Sequence, residues 1–126
     1  MPLVHHERCF GCGRTNLFGL LLEVEEVAPG AVAGRCFIKQ DHQGADGGRA
    51  HAGVLAAALA EAMSLACGLD ARAVSFEVSL HAPAPVGAFV EVSAQVESVD
   101  GSFANATASA SADQRVVAQA RGRFRS

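Results

Sequence analysis

Four segments in the second half of the chain alternate hydrophobic and polar residues with a period of two. They are residues 73–82, 88–99, 102–112 and 115–124. In the second of them, Val90, Val92 and Val96 alternate with polar side chains, which is typical of a strand with one buried face. Residues 20–27 and 31–39 predict two earlier strands, joined at Pro29-Gly30, a pair that suits a tight turn. The pattern therefore predicts six strands.

An apolar run lies between the two groups of predicted strands. Residues 52–67, AGVLAAALAEAMSLAC, consist largely of Ala and Leu, which favour the helix, and Gly68 follows as a helix stop. Glu61 is the single charged residue of this run. Because a surface helix keeps a polar face, the pattern predicts a helix that is surrounded by protein.

The order of the elements predicts how they pack. Two strands precede the helix, and four strands follow it in what we expect to be an antiparallel meander. The segment 102–112 places a row of alanines on one face, which leaves room for a helix to lie close against it. No linker, repeat or change of composition divides the sequence, so we predict a single domain over residues 1–126.

Charge and composition exclude several classes of partner. The net charge is -3, and Lys and Arg form no cluster of the kind that binds nucleic acid. The longest apolar run is shorter than the roughly 20 residues of a membrane-spanning helix, and the first residues lack the order of a secretory signal. We therefore expect a cytoplasmic protein with no nucleic-acid or membrane partner and with its four cysteines reduced.

Four short motifs follow one another along the chain. They are CFGCGRTNLFGLLLEV near the start, DHQG at 41–44, HAGVLAAALAEAM at 51–63 and HAPAPVG at 81–87. Together they resemble the hotdog-fold acyl-CoA thioesterases of the phenylacetic acid degradation type, and the resemblance covers nearly the whole chain. It implies an α+β hotdog fold, in which a six-stranded antiparallel sheet wraps around one long central helix.

The resemblance also implies an activity and an assembly. Proteins of this kind hydrolyse an acyl-CoA or another pantetheine thioester to the free acid and thiol. Their site lies at the interface of a homodimer, which in some cases pairs into a dimer of dimers. Coenzyme A then enters as part of the substrate, and no separate cofactor is expected.

The start of the helix is where the resemblance places the oxyanion donor. His51 matches the family's histidine, and Ala52 and Gly53 match its two glycines. By this correspondence the donor is the backbone N–H of Ala52. Such a donor is physically sound, because the first N–H groups of a helix lack partners and lie at the positive end of its dipole. His51 itself either contacts the substrate or satisfies backbone groups at the helix start.

The carboxylate of the family is displaced in this chain. Its Asp or Glu stands nine residues after the histidine, where this sequence has Ala60. Glu61 comes one residue later, which on a helix means a rotation of about 100°. Two interpretations remain open. Either Glu61 acts as the general base, or it is an ordinary rim acid and the protein binds acyl-CoA without hydrolysing it.

Other candidates for substrate contact have alternative roles as well. Ser64 lies on the same helix face as Ala60, where it contacts the substrate or hydrogen-bonds to its own backbone. Gln43 lies in the loop where family members direct a polar side chain toward the thioester. Alternating arginines on the last predicted strand either meet the phosphates of coenzyme A or form a solvated face; they are Arg121, Arg123 and Arg125.

The N-terminal segment contains four potential metal ligands, His5, His6, Cys9 and Cys12. A Cys-x-x-Cys pair with a nearby histidine is compatible with tetrahedral zinc, but one such pair without a second is a weak signal. Because CFGCG also occurs in the family that the chain resembles, we interpret the segment as a structural turn and expect no metal.

Overall fold

Six antiparallel strands form one sheet, and a single helix packs on one of its faces. A computed structural model describes all 126 residues. Its elements are β1 (Glu23–Ala28), β2 (Ala31–Phe37), α1 (Ala52–Cys67), β3 (Arg72–Leu80), β4 (Phe89–Asp100), β5 (Phe103–Ala112) and β6 (Arg115–Arg125), with a turn of 3-10 helix at Gln40–His42. The six strands and the bounds of the helix are those that the sequence predicted. The predicted α+β hotdog architecture is confirmed.

The position of β3 differs from the prediction. The strand order is β1-β2-β4-β5-β6-β3, so β3 pairs with β6 at the far edge of the sheet. The prediction of a four-stranded meander was therefore wrong for β3, although β4, β5 and β6 do form a meander of three strands. The cause lies in the connection 81–88, which contains Pro83 and Pro85 and is longer than the hairpin loops of about 2–5 residues that join neighbouring strands.

Small side chains on β5 let α1 lie close to the sheet. Four alanines of this strand point toward the helix and are buried, namely Ala106, Ala108, Ala110 and Ala112. On α1, the side chains of Ala58, Leu59, Ala62 and Met63 are fully buried. The prediction of a buried helix is thus confirmed for the side of α1 that faces the sheet. The helix is nevertheless not long and apolar enough to cross a membrane.

The edge strand β3 leaves apolar side chains uncovered. Phe76 is 44% exposed and Leu80 is 54% exposed. In the pairing with β6 they lie opposite Gly122 and Ala118, and buried Ala118 marks this as the helix side of the sheet. An unpaired edge with exposed apolar side chains is a surface on which another chain can pair.

Replacing Ala110 with Leu should destabilise the fold by about 1–3 kcal/mol. Ala110 is completely buried, and the larger side chain would push α1 away from β5. Equilibrium urea denaturation measures the change. Ser109→Leu is the matched control, since Ser109 faces the opposite side of the sheet. An equal loss of stability in the two variants would contradict close packing between α1 and β5.

Candidate active site

The start of α1 offers one free backbone donor. His51 is the N-cap residue, and its Nδ1 accepts a hydrogen bond from the N–H of Gly53 at 2.7 Å. The N–H groups of Val54 and Leu55 both donate to the carbonyl of His51, at 2.9 and 3.4 Å. The N–H of Ala52 has no hydrogen-bond partner, and Ala52 is exposed. The side chain of His51 therefore caps the helix and leaves a single N–H open to a ligand.

The loop before α1 holds this capping geometry in place. The N–H of His51 donates to the carbonyl of His42 at 2.8 Å. Gln43 binds the backbone of its own loop, because its Nε2 donates to the carbonyl of Gln40 at 2.8 Å and its Oε1 accepts from the N–H of Gly48 at 2.6 Å. The amide of Gln43 is thus engaged in supporting the loop.

A cavity of about 410 Å³ lies beside the middle of α1. One face of the helix lines it with Ala57, Ala60, Glu61 and Ser64, and the N-terminal segment and the start of β3 complete its wall. A larger depression, of about 670 Å³, lies on the outer face of the sheet among polar and apolar strand residues. We take the smaller cavity as the candidate site, because it contains Ala60 and the one acid of α1.

The N-terminal segment holds the carboxylate of Glu61. Its Oε2 lies 2.8 Å from Nδ1 of His5 and accepts a hydrogen bond from Sγ of Cys9 at 3.2 Å. Gly11 packs directly on the same side chain, and a Cβ at this position would overlap Glu61. Oε1 of Glu61 accepts no hydrogen bond and is not among the buried polar atoms that lack a partner. One carboxylate oxygen is therefore bound, and the other remains available.

Cys12 and Ser64 flank the same imidazole. Sγ of Cys12 accepts a hydrogen bond from the backbone N–H of His5 at 3.1 Å. Burial, together with the nearby carboxylate of Glu61, raises the pKa of the Cys12 thiol far above its usual range. The hydroxyl of Ser64 donates to the carbonyl of Ala71 at 2.9 Å and lies 3.4 Å from Nε2 of His5. Ser64 thus binds outside α1 and not to its own helix turn.

The sequence did not connect the N-terminal segment with Glu61. The spacing of His5, Cys9 and Cys12 was visible in the sequence. Their contact with Glu61, which lies 56 positions after His5, leaves no local pattern. The arginines of β6 lie elsewhere. Arg121 pairs with Glu77, and none of the three arginines lines the cavity beside α1.

Solved structures with the same architecture carry related names. A variant of the phenylacetic acid degradation protein PaaI from Thermus thermophilus shares 27% identity and a TM-score of 0.76, covering 82% of this chain and 91% of that one. The E. coli PaaI protein of the phenylacetic acid degradation operon shares 18% identity and a TM-score of 0.77, over 84% and 79% of the two chains. A thioesterase superfamily protein shares 21% identity and a TM-score of 0.84, over 94% of this chain and 63% of that one.

These likenesses establish the architecture. The chain has the hotdog fold. No protein-family model matches its sequence, and no curated protein matches it either. The identities are low, so the residues of this hotdog domain have to be judged on their own geometry.

His42 should make the stability of the hotdog domain depend on pH. Its Nδ1 accepts from the N–H of Lys39 at 3.0 Å, whereas its Nε2 is buried without a partner. Burial, assisted by the charge of Lys39, lowers the pKa of His42 below its usual 6.5. The unfolded chain therefore takes up a proton first as the pH falls. Stability should be complete above pH 6.5 and decline below it, by at most about 1.4 kcal/mol per pH unit.

Urea denaturation at several pH values above and below 6.5 measures this pH dependence of stability. His42→Asn should flatten the decline, while His6→Asn, at an exposed position, should leave it unchanged. The same pH dependence in His42→Asn as in the wild type would show that other groups cause the decline.

Proposed function

We propose that this protein hydrolyses a thioester of coenzyme A, or of another pantetheine, to the free acid and the thiol. The observation that carries the proposal is the unpartnered N–H of Ala52 at the exposed start of α1, in a fold shared with proteins named as thioesterases. A free N–H at the positive end of a helix stabilises the oxyanion that forms when a thioester carbonyl is attacked. The substrate is a small molecule, and we expect the reaction to take place in the cytoplasm.

The proposed active form is a homodimer, either alone or as half of a dimer of dimers. The cavity beside α1 reaches the start of β3, at Arg72 and Ala73. A second copy that pairs along the free edge of β3 would cover Phe76 and Leu80. It would also bring its own helix toward this cavity, so that the site lies between the protomers.

Assembly is needed because the two candidate groups are far apart on one helix. Ala52 and Glu61 are separated by nine residues, which corresponds to about 14 Å along the helix axis. A single thioester carbonyl and its attacking water span much less than that distance. We therefore pair the Ala52 amide of one protomer with Glu61 of the partner subunit.

Glu61 is the proposed general base, through its unbound oxygen Oε1. Water attacks the carbonyl carbon while Oε1 accepts its proton, and the oxyanion develops against the N–H of Ala52. Collapse of the tetrahedral intermediate breaks the C–S bond, and the proton passes from Glu61 to the departing thiolate. His51 serves as a positioning residue by capping the helix, and Ala57 and Ala60 provide apolar wall for the acyl group.

Ala52→Pro should lower kcat by about 100- to 1000-fold, the usual effect of losing one oxyanion donor. Proline removes the N–H but suits the first helical position, and the extended backbone of His51, with φ -62° and ψ 141°, accepts a following proline. Thiol release from a panel of short-chain, long-chain and aromatic acyl-CoAs measures the activity. Circular dichroism checks that the helix is intact.

Ala52→Gly is the matched variant, because it keeps the N–H and should retain far more activity than Ala52→Pro. Full activity in a folded Ala52→Pro protein would remove the proposed oxyanion donor. Absence of thiol release by the wild type across the panel would overturn the hydrolase proposal itself.

A second candidate function is binding of acyl-CoA without hydrolysis. Ala60 favours it, since this residue lines the cavity where the resembling family has a carboxylate, and Oε2 of Glu61 is already engaged by His5 and Cys9.

Ala60→Asp distinguishes the two functions. If the protein only binds thioesters, wild type should show acyl-CoA affinity by isothermal calorimetry without turnover, and Ala60→Asp should gain measurable hydrolysis. Turnover by the wild type that is lost in a folded Glu61→Gln variant would instead exclude the non-catalytic function.

A further inference from the structure

Four side chains of different chemistry converge where the N-terminal segment meets α1. They are His5, Cys9, Cys12 and Glu61, and one potential ligand atom from each lies within 4.8 Å of all the others. Three come from one short segment, whereas Glu61 comes from the middle of the helix. We refer to these four residues as the N-terminal cluster. Cys12 is fully buried, and only 11% of the His5 side chain and 14% of the Glu61 side chain are exposed.

The hydroxyl of Ser64 offers one position for the ring proton of His5. The hydroxyl of Ser64 uses its single proton to bind the carbonyl of Ala71 at 2.9 Å. Its oxygen therefore lies 3.4 Å from Nε2 of His5 as an acceptor, a position that suits a proton on Nε2. In the neutral imidazole this leaves a lone pair on Nδ1, which points into the cluster.

In the metal-free cluster the thiol of Cys9 donates to Oε2 of Glu61, and with the ring proton on Nε2 a lone pair on Nδ1 of His5 faces the same oxygen. Nδ1 of His5 lies 2.8 Å from Oε2 of Glu61, and the sulfur atoms of Cys9 and Cys12 lie 3.7 and 3.5 Å from Nδ1. A second proton on His5 would satisfy the contact with Glu61 alone. A divalent cation would bind the ligand atoms of all four side chains at once.

The separations match those of a tetrahedral zinc site. Bonds of about 2.0 Å to nitrogen or oxygen and about 2.3 Å to sulfur place neighbouring ligand atoms roughly 3.3–3.8 Å apart. The distances of Cys9 Sγ to Oε2 of Glu61 and to Nδ1 of His5 are 3.2 and 3.7 Å, and Cys12 Sγ lies 3.5 Å from the same nitrogen. The contact between His5 and Glu61 has to open by about half an ångström, and no two of the four ligand atoms lie more than 4.8 Å apart.

We propose that His5, Cys9, Cys12 and Glu61 bind one Zn²⁺ ion in a site with four protein ligands. Two thiolates and an imidazole select zinc over the oxygen-preferring cations, and four protein ligands are typical of structural zinc. Ser64 is a positioning residue, because it accepts from Nε2 of His5 and so orients the imidazole, as partners of ligating histidines commonly do. The ion fastens the N-terminal segment to α1. It uses Oε2 of Glu61 and leaves Oε1 free.

Metal analysis of untagged, full-length protein tests the proposal, and no activity assay is involved. We expect about one zinc per chain by mass spectrometry. After the zinc is removed with a chelator under reducing conditions, Co²⁺ should restore a tetrahedral visible spectrum with a thiolate charge-transfer band. Because neither readout uses acyl-CoA, the zinc proposal and the hydrolase proposal can fail separately.

Variants identify the ligands. Cys9→Ser and His5→Gln should lose the stoichiometric zinc and the native Co²⁺ spectrum, whereas the matched variants Cys67→Ser and His6→Gln should retain both. Ser64→Ala should bind zinc about 10- to 100-fold more weakly. If a ligand variant does not fold, the zinc content and the Co²⁺ spectrum of the wild type still test the proposal.

Three results would overturn the proposal. One is a folded, reduced wild type that neither contains zinc nor takes up Zn²⁺ or Co²⁺. Another is a Cys9–Cys12 disulfide in the metal-free protein as purified. The third is retention of zinc and of an unchanged cobalt spectrum in folded Cys9→Ser and His5→Gln variants.

Discussion

The close packing of α1 against the small-residue face of the sheet is the interaction on which the structure depends. A helix that is apolar on nearly every side cannot remain at a surface, and the alanines of β5 let it come near enough to be enclosed. Burial fixes the direction and position of the helix. The helix therefore holds two parts of the candidate site at a fixed separation. These are its exposed start at Ala52 and its half-buried middle at Ala60 and Glu61.

The N-terminal segment packs against the middle of this helix and binds the side chain of Glu61. It can approach α1 only because Gly11 has no side chain to collide with Glu61, and the glycine of the CFGCG turn at position 13 packs equally tightly on the backbone of Cys9. The acid is therefore a shared group, with one oxygen toward the segment and one left for the cavity. This sharing connects the anchoring of the N-terminus with the chemistry proposed for the helix.

Local patterns predicted most of the fold because each element has its own periodicity. Alternation identified the strands, and the Ala-rich run identified α1 with its bounds. The position of β3 was missed because strand pairing depends on the path of the 81–88 connection, which periodicity does not describe. For the site, the resemblance pointed to the start of the helix, and capping by His51 was one of the two interpretations that the sequence left open. The contact of His5 with Glu61, by contrast, depends on three-dimensional approach. Contacts between residues so far apart in sequence leave no mark that a single chain reveals.

The strand order also gives the sheet two unlike ends. At one end, the N-terminal segment already occupies part of β1, because the N–H of Leu3 donates to the carbonyl of Val24 at 2.8 Å and the N-terminal amine pairs with Glu25, which leaves this edge less open to another copy. At the other end, β3 is open and carries exposed apolar side chains at Phe76 and Leu80. Growth by edge pairing is thus possible in one direction only, and two copies that meet through β3 use up both available edges. Such an isologous contact would close on itself, so a protein that pairs through β3 would stop at two copies and would form no extended fibre.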